Sequence, residues 1–365
     1  MISLCITATF STLFASTIQK NKIAQITQLI QSSDTAEHTI NQKKRDKTVQ
    51  AYTTYNNARN LNRSSTKNIY TSNSNMPSKP NRDIYIDTKN AFILQLIGKY
   101  RISVPKQGRG EISIEEKYHD AFTLSFPNQD ETIFTGQGKQ IAYNTILYTE
   151  YQKNTDVVVV GYKDTLRVLT VLNNADTPTK YRYKIHIPTE GKLIKLKDGG
   201  ILILDKNETL FGGFTPPSAI DKKGKKIPTH YEIQGDELIQ VIEHLSVNVT
   251  YPIIAGSYAA RGLIHKAKWQ RGYILGQWRW VLSIGLTKWG QVYSGNSLIG
   301  VYGFDEVVRG TKIYTNREGL KDQFICKQKY ANYRDSHKKY YLNEWRPHIG
   351  YEATVQDKCN PSLNN

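Results

Sequence analysis

The chain has 365 residues, 39% hydrophobic and 22% charged, which is length enough for two ordinary domains with cores of their own. Beyond the first fifteen residues no apolar run is long enough to cross a bilayer as a helix, so a polytopic helical membrane protein is excluded. The formal charge of +17 divides into +8 over 1–82, zero over 83–256 and +9 over 257–365. Two basic ends of this kind favour polyanionic partners without choosing among nucleic acid, anionic lipid and acidic wall polymer.

Residues 1–16 read as a signal-peptide-like leader. The stretch Ile2–Ala15 (ISLCITATFSTLFA) has the length of a signal-peptide core and is too short for a transmembrane helix. No Lys or Arg precedes it, and Ala15 and Ser16 supply the small residues of a cleavage site. Within residues 17–82, the stretch from about Ser32 to Asn81 is rich in Asn, Ser, Thr, Lys and Gln and nearly empty of large aliphatic side chains. Such a composition buries too little apolar area to offset its ordering entropy. The segment is expected to be a disordered basic linker or propeptide, with a short helix near Ile23–Ile30.

Residues 83–256 have a different character. DVVVVG (Asp156–Gly161), LRVLTVL (Leu166–Leu172) and ILILD (Ile201–Asp205) are short, β-branched and bounded by turn residues, the signature of strands. In KYRYKIHI, Tyr181, Tyr183, Ile185 and Ile187 alternate with Lys180, Arg182, Lys184 and His186, so one face is buried and the other wet. Turn signals at Lys197–Gly200, Lys223–Lys225 and Gly235-Asp236 join strands with no helix between them. The predicted fold is mainly β, an antiparallel β-sandwich serving as a carrier. His186, His230 and His244 sit in strand contexts that suit surface or core-edge histidines. The phrases TDVVVVG, LRVLTVL, TKYRYKI, GGFTPPSAIDKKGKKIPTHYEI and VTYPII loosely resemble a β domain of exported Gram-positive proteins. There it lies between the leader and a variable C-terminal module, so the resemblance implies export and a carrier role.

Residues 257–365 hold all five tryptophans, between Trp269 and Trp345. In WRWVLSIGL, Trp278 and Trp280 share one strand face and Arg279 takes the other; most of these rings are expected in the core of a small β-rich (α+β) domain. One or two, exposed beside Arg or Lys, would suit stacking on sugars, bases or lipid headgroups. Trp269, Arg271 and Trp289 are the binding candidates. Of the three cysteines, Cys5 lies in the leader, and Cys326 and Cys359 read as one disulfide if the chain is exported. In a chain kept inside the cell the same pair would be two unrelated thiols. No CxxC or Cys/His ligand spacing occurs, so neither a metal nor a cofactor is expected.

Trp269 in KWQR, LSIGLTKWG at Leu282–Gly290, GLKDQFICKQKYA at Gly319–Ala331, YLNEWRPHIGY at Tyr341–Tyr351 and KCNP at Lys358–Pro361 resemble the bacterial family known as domain of unknown function 2599. The resemblance spans about the last 100 residues. It implies an exported protein with a Cys326–Cys359 bridge and no established activity. The family often carries His after the first Cys and an acidic residue after Trp-Arg-Pro, where this chain has Lys327 and His348. Polar side chains here include His265, His337, Asp305 and Glu306, with Asp305-Glu306 reading as a solvated turn. The catalytic candidates are His348, Arg346 and Glu344, because they neighbour the bridge that would hold them rigid.

Three functional classes follow: an exported protein whose activity lies in the C-terminal domain, a secreted antibacterial effector with a protective partner protein, and a secreted module binding an anionic polymer, membrane surface or target-cell component. A structural envelope protein without a ligand is the plain alternative.

Overall fold

The structure, a computed structural model, describes residues 20–34, 85–87, 89–95, 100–116, 119–127, 136–142, 144–152, 154–162, 165–187, 190–292, 297–330 and 339–362. The leader at 1–16 and residues 35–82 of the linker lie outside them. Helix α1 (20–34) is followed by β1 (Tyr85–Asp87), β2 (Ala91–Gln95), β3 (Tyr100–Pro105), β4 (Glu111–Glu116), β5 (His119–Ser125) and β6 (Lys139–Ala142). Next come β7 (Thr145–Gln152), β8 (Thr155–Gly161), β9 (Leu166–Leu172), β10 (Lys180–His186), β11 (Lys192–Lys195) and β12 (Ile201–Leu204). Then follow β13 (Leu210–Phe214), β14 (Ser218–Ile220), β15 (Thr229–Gln234), β16 (Glu237–Ile242) and β17 (Ile253–Ala260).

These strands make two antiparallel sheets, ordered β1-β2-β3-β4-β5-β10-β16-β15 and β11-β12-β13-β17-β9-β8-β7-β6, with β14 beside β17. Ile102, Ile112, Leu124, Tyr183 and Leu238 of the first sheet meet Ile146, Val157, Val159, Val168 and Ile203 of the second in one buried cluster. The sandwich expected from the strand pattern is therefore present. In β10 the tyrosines and Ile185 point inward. Outside, Lys180 pairs with Glu232 at 3.0 Å and Arg182 with Glu237 at 3.0 Å.

Continuous apolar runs such as Asp156–Gly161 need cover on both faces, because successive side chains point to opposite sides. Val157 and Val159 enter the sandwich core, while Val158 and Val160, with Leu147, Leu169 and Val171, pack outward against Ile26, Leu29 and Ile30 of α1. The span 17–82, read as linker or propeptide, thus contains a folded helix longer than the short one expected. Polar contacts fix it at both ends. Lys22 Nζ lies 2.8 Å from Asp156 Oδ2. Asp34 pairs with Arg167, whose side chain is fully buried, and accepts the hydroxyls of Tyr162 and Tyr258 at 2.8 and 2.9 Å.

The other end of the same outer face carries the C-terminal module. β18 (Ile264–Ile274), β19 (Gln277–Leu286) and β20 (Lys339–Asn343) form a three-stranded antiparallel sheet. The helices are α2 (Lys288–Val292), α3 (Ser297–Gly310), α4 (Arg317–Tyr330) and α5 (Tyr351–Gln356). Leu202, Leu204 and Leu210 of the sandwich share one core with Leu282, Ile284, Phe304, Val307, Leu320 and Phe324 of the module. The boundary placed at 256/257 falls inside β17, between Gly256 and Ser257. Glu306, read as part of a solvated turn, is instead buried on α3. It accepts the backbone N–H groups of Leu263 at 2.8 Å and Ile264 at 3.3 Å, because the start of β18 is buried there and its donors need an acceptor.

Candidate functional site: the aromatic hairpin of the C-terminal module

β18 and β19 are joined by a two-residue turn, with Leu275 at φ 51° and Gly276 at φ 76°. Two successive positive φ values twist the turn in the sense that a hairpin requires, and glycine accepts that conformation without strain whereas leucine rarely does. The hairpin is longer than its third strand. β20 pairs with β19 only from Val281 to Gly285, so the rows beyond Val281 project as a two-stranded ribbon.

Residues paired across antiparallel strands share a face. On the core-facing side, Ala267 opposite Ile284 and Trp269 opposite Leu282 belong to the module core. The same face continues past that core as Arg271 opposite Trp280 and Tyr273 opposite Trp278. Exposures of 67% for Tyr273, 67% for Leu275, 63% for Trp278 and 50% for Trp280 leave these side chains in solvent, where such residues normally cluster only at interaction surfaces. The Arg271 guanidinium lies 5.9 Å from the centroids of both the Trp278 and Trp280 rings. Tyr273 and Trp278 meet edge to face, 5.7 Å apart with 66° between ring planes. Residues 264–286 contain Lys266, Lys268, Arg271 and Arg279 and no Asp or Glu.

The reverse face is braced. Arg279 lies 4.3 Å and Arg346 4.5 Å from the centroid of the Trp345 ring. The arrangement is stacked guanidinium on indole, a cation–π contact that also covers apolar surface.

The three binding candidates have different placements. Arg271 is exposed among the aromatic rings. Trp269 is half-buried at the base of the ribbon, its indole N–H donating to the Lys312 carbonyl at 2.8 Å. Trp289 is fully buried, so close to β13 that a Cβ on Gly213 would lie 2.3 Å from its ring; its ring is core and cannot face a ligand. Trp278 and Trp280 do share one face, with Arg279 on the other, but that face is solvent rather than core. Strand alternation identifies a common face; whether anything covers it depends on the length of β20, 60 residues downstream, which no local pattern encodes.

The catalytic candidates have separate partners. Glu344 Oε2 accepts the Thr315 hydroxyl at 3.2 Å. Arg346 Nη1 donates to the carbonyls of Asn360 at 3.1 Å and Pro361 at 2.5 Å, tying down the tail. His348 Nε2 lies 3.1 Å from Asp322 Oδ2 on α4, and burial raises the Asp322 carboxyl above its usual range. Among the described residues no cluster of three or more His, Cys, Asp or Glu could hold a metal ion. Cys326 and Cys359 are joined in a disulfide between α4 and the residues after α5.

Residues 281–362 match the family "Protein of unknown function (DUF2599)". The match begins at the base of β19 and covers the bridge, the helices and β20, whereas the projecting rows and Trp269 precede it. No curated protein matches the chain. Among solved structures, a mutant glycoside hydrolase of family 81 from Clostridium thermocellum aligns at 9% identity and a TM-score of 0.28, over 54% of this chain and 28% of that one. A likeness of that size carries no argument about this chain.

Within the matched region, Lys327 stands on α4 next to Cys326. Its ammonium donates to Asn360 Oδ1 at 3.2 Å, and burial, then the charge on Arg346, bring its pKa down to about 8. An unfolded lysine keeps its proton to well above that value, so between those two pH values the unfolded chain binds the extra proton and stability rises with pH. The urea midpoint is expected to be higher at pH 9.5 than at pH 7.5, and Lys327→Met should remove that rise. Equal midpoints for the wild-type chain would contradict it.

Proposed function

We propose that the chain is an exported protein whose C-terminal module binds an anionic surface or polymer through the exposed face of the β18–β19 ribbon. The observation that carries this reading is the run of Tyr273, Leu275, Trp278 and Trp280 in solvent on one projecting element, with Arg271 held between rings. Aromatic and Arg side chains are the usual anchors of protein interfaces, since they bury much area with few rotors. The lack of any carboxylate over 264–286 gives the element one sign of charge. The Cys326–Cys359 bridge supports an oxidising destination outside the cytosol.

The test compares two charge reversals of equal net effect in the full chain: Arg271→Glu on the ribbon, and Lys223→Glu in an exposed turn of the sandwich. Binding is measured to duplex DNA, a poly(glycerol phosphate) wall polymer and phosphatidylglycerol vesicles at 50 and 200 mM salt. At least one partner should be bound, more weakly at the higher salt. Arg271→Glu should lower that affinity about tenfold more than Lys223→Glu, given about 1 kcal/mol for each basic side chain near an anionic surface. Equal losses in both variants, or no binding by the wild type, would defeat the proposal.

A further inference from the structure

We infer that the partner of the ribbon is the headgroup layer of an anionic lipid bilayer, entered by the tip at residues 272–278. This rests on the reading that the ribbon binds an anionic partner, and adds which one. The tip sequence GYILGQW carries no charge, and Leu275, at its apex, is 67% exposed. The nearest charges are Arg271 and Arg279, on adjacent rows and on opposite faces of the ribbon. An apolar apex below a collar of cations matches the order of a bilayer surface, with acyl chains inside and phosphates outside.

Dimensions agree. The rows from Arg271 to Ile274 span about 10 Å at the rise of a β-strand, comparable with the roughly 5–10 Å to which interfacial amphipathic elements enter the headgroup and acyl boundary. Tyr and Trp prefer that boundary, where one edge of the ring is apolar and the other wet. Arg271 beside Trp278 and Trp280 would sit at phosphate level. Lys266 and Lys268, exposed further back on β18, would lie over the surface.

A polymer fits less well. Stacking on bases or sugars needs ring faces laid open as a platform, whereas Tyr273 and Trp278 meet edge to face at 66°. A binder of acidic polymer would also gain most from cations at its projecting tip, and here the tip carries Leu275 at 67% exposure. Among the described residues no helix is long and apolar enough to cross a membrane; the proposed contact is interfacial and needs none.

The experiment mixes the full chain with phosphatidylcholine vesicles containing 30% phosphatidylglycerol, with pure phosphatidylcholine vesicles, and with the DNA and wall polymer used above. Readouts are co-sedimentation and quenching of tryptophan fluorescence by lipids brominated high on the acyl chain. Sedimentation and quenching are expected with the anionic vesicles and should fall at high salt. Leu275→Asn is the discriminating variant, because Asn accepts positive φ and the site is exposed, so the fold should hold, as an unchanged thermal midpoint would verify. It should weaken vesicle binding by about tenfold or more, the share of a buried leucine. Vesicle binding without quenching, or indifferent to Leu275→Asn, would overturn insertion. Polymer binding without vesicle binding would overturn the lipid assignment while keeping the anionic reading, and binding to nothing would end both.

Discussion

Removing the Cys326–Cys359 bridge should lower the stability of the C-terminal module by about 3–4 kcal/mol, the loop-entropy expectation for a bridge closing a loop of 33 residues. The loss should be local before it is global. α5 has only six residues and adds Val355 and Tyr351 to a small cluster around the two half-cystines. Beyond that, the tail is held by Arg346, Lys327 and Asp357, the last accepting the Ser362 backbone N–H at 2.7 Å. Without the bridge these contacts must oppose the freedom of the tail alone. Hydrogen exchange on Cys326→Ser/Cys359→Ser should show residues 351–362 exchanging much faster, with the sandwich strands little changed. A double variant with the wild-type urea midpoint and unaltered exchange would show that packing alone holds α5.

Asp34→Ala is expected to cost about 3 kcal/mol or more, since removing one partner of a buried ion pair leaves an uncompensated charge. Arg167 has no exposed side-chain surface and Asp34 is one-third exposed, so the cation cannot recover in water what it loses. Ser33 accepts one of its N–H groups at 2.9 Å, and the Tyr258 ring lies 4.7 Å from the guanidinium carbon. The companion Arg167→Met should restore much of the loss in the double variant, because an apolar chain of similar length asks for no counter-ion. Thermal or urea unfolding of the four-member cycle gives the coupling directly. Additive losses, with no coupling between positions 34 and 167, would show that the pair contributes nothing specific to holding α1.

Much of the sandwich is legible in the sequence because its strands are locally explicit. The alternation in Lys180–Ile187 and the runs at Asp156–Gly161 and Ile201–Asp205 each name their own periodicity and burial. What covers the outer face is not legible. Val158, Val160 and Leu202 announce that they need partners, but those partners lie 130 positions upstream on α1 and 80 positions downstream on β19. The apolar stripe of α1, Ile23, Ile26, Leu29 and Ile30, is narrow and sits in polar surroundings, so composition reads the segment as linker. The candidate site shows the same limit. Arg271 stands out by its aromatic company, and the common face of Trp278 and Trp280 follows from spacing. Their exposure reflects the mismatch between a long hairpin and a five-residue β20, and the burial of Trp289 reflects room left by Gly213; both are properties of the assembled fold.

The shared core of sandwich and module bears on how such a protein could be dismantled. A cut at 256/257 would divide β17 between two fragments, stripping the sheet of a central strand. It would also leave Leu202, Leu204 and Leu210 on one fragment and Leu282, Phe304 and Phe324 on the other, all newly wetted. Both products would therefore expose apolar surface that the intact chain keeps buried. A force applied at Leu275 and its neighbours would pass through this shared core into the sandwich, so the two parts bear load as one block.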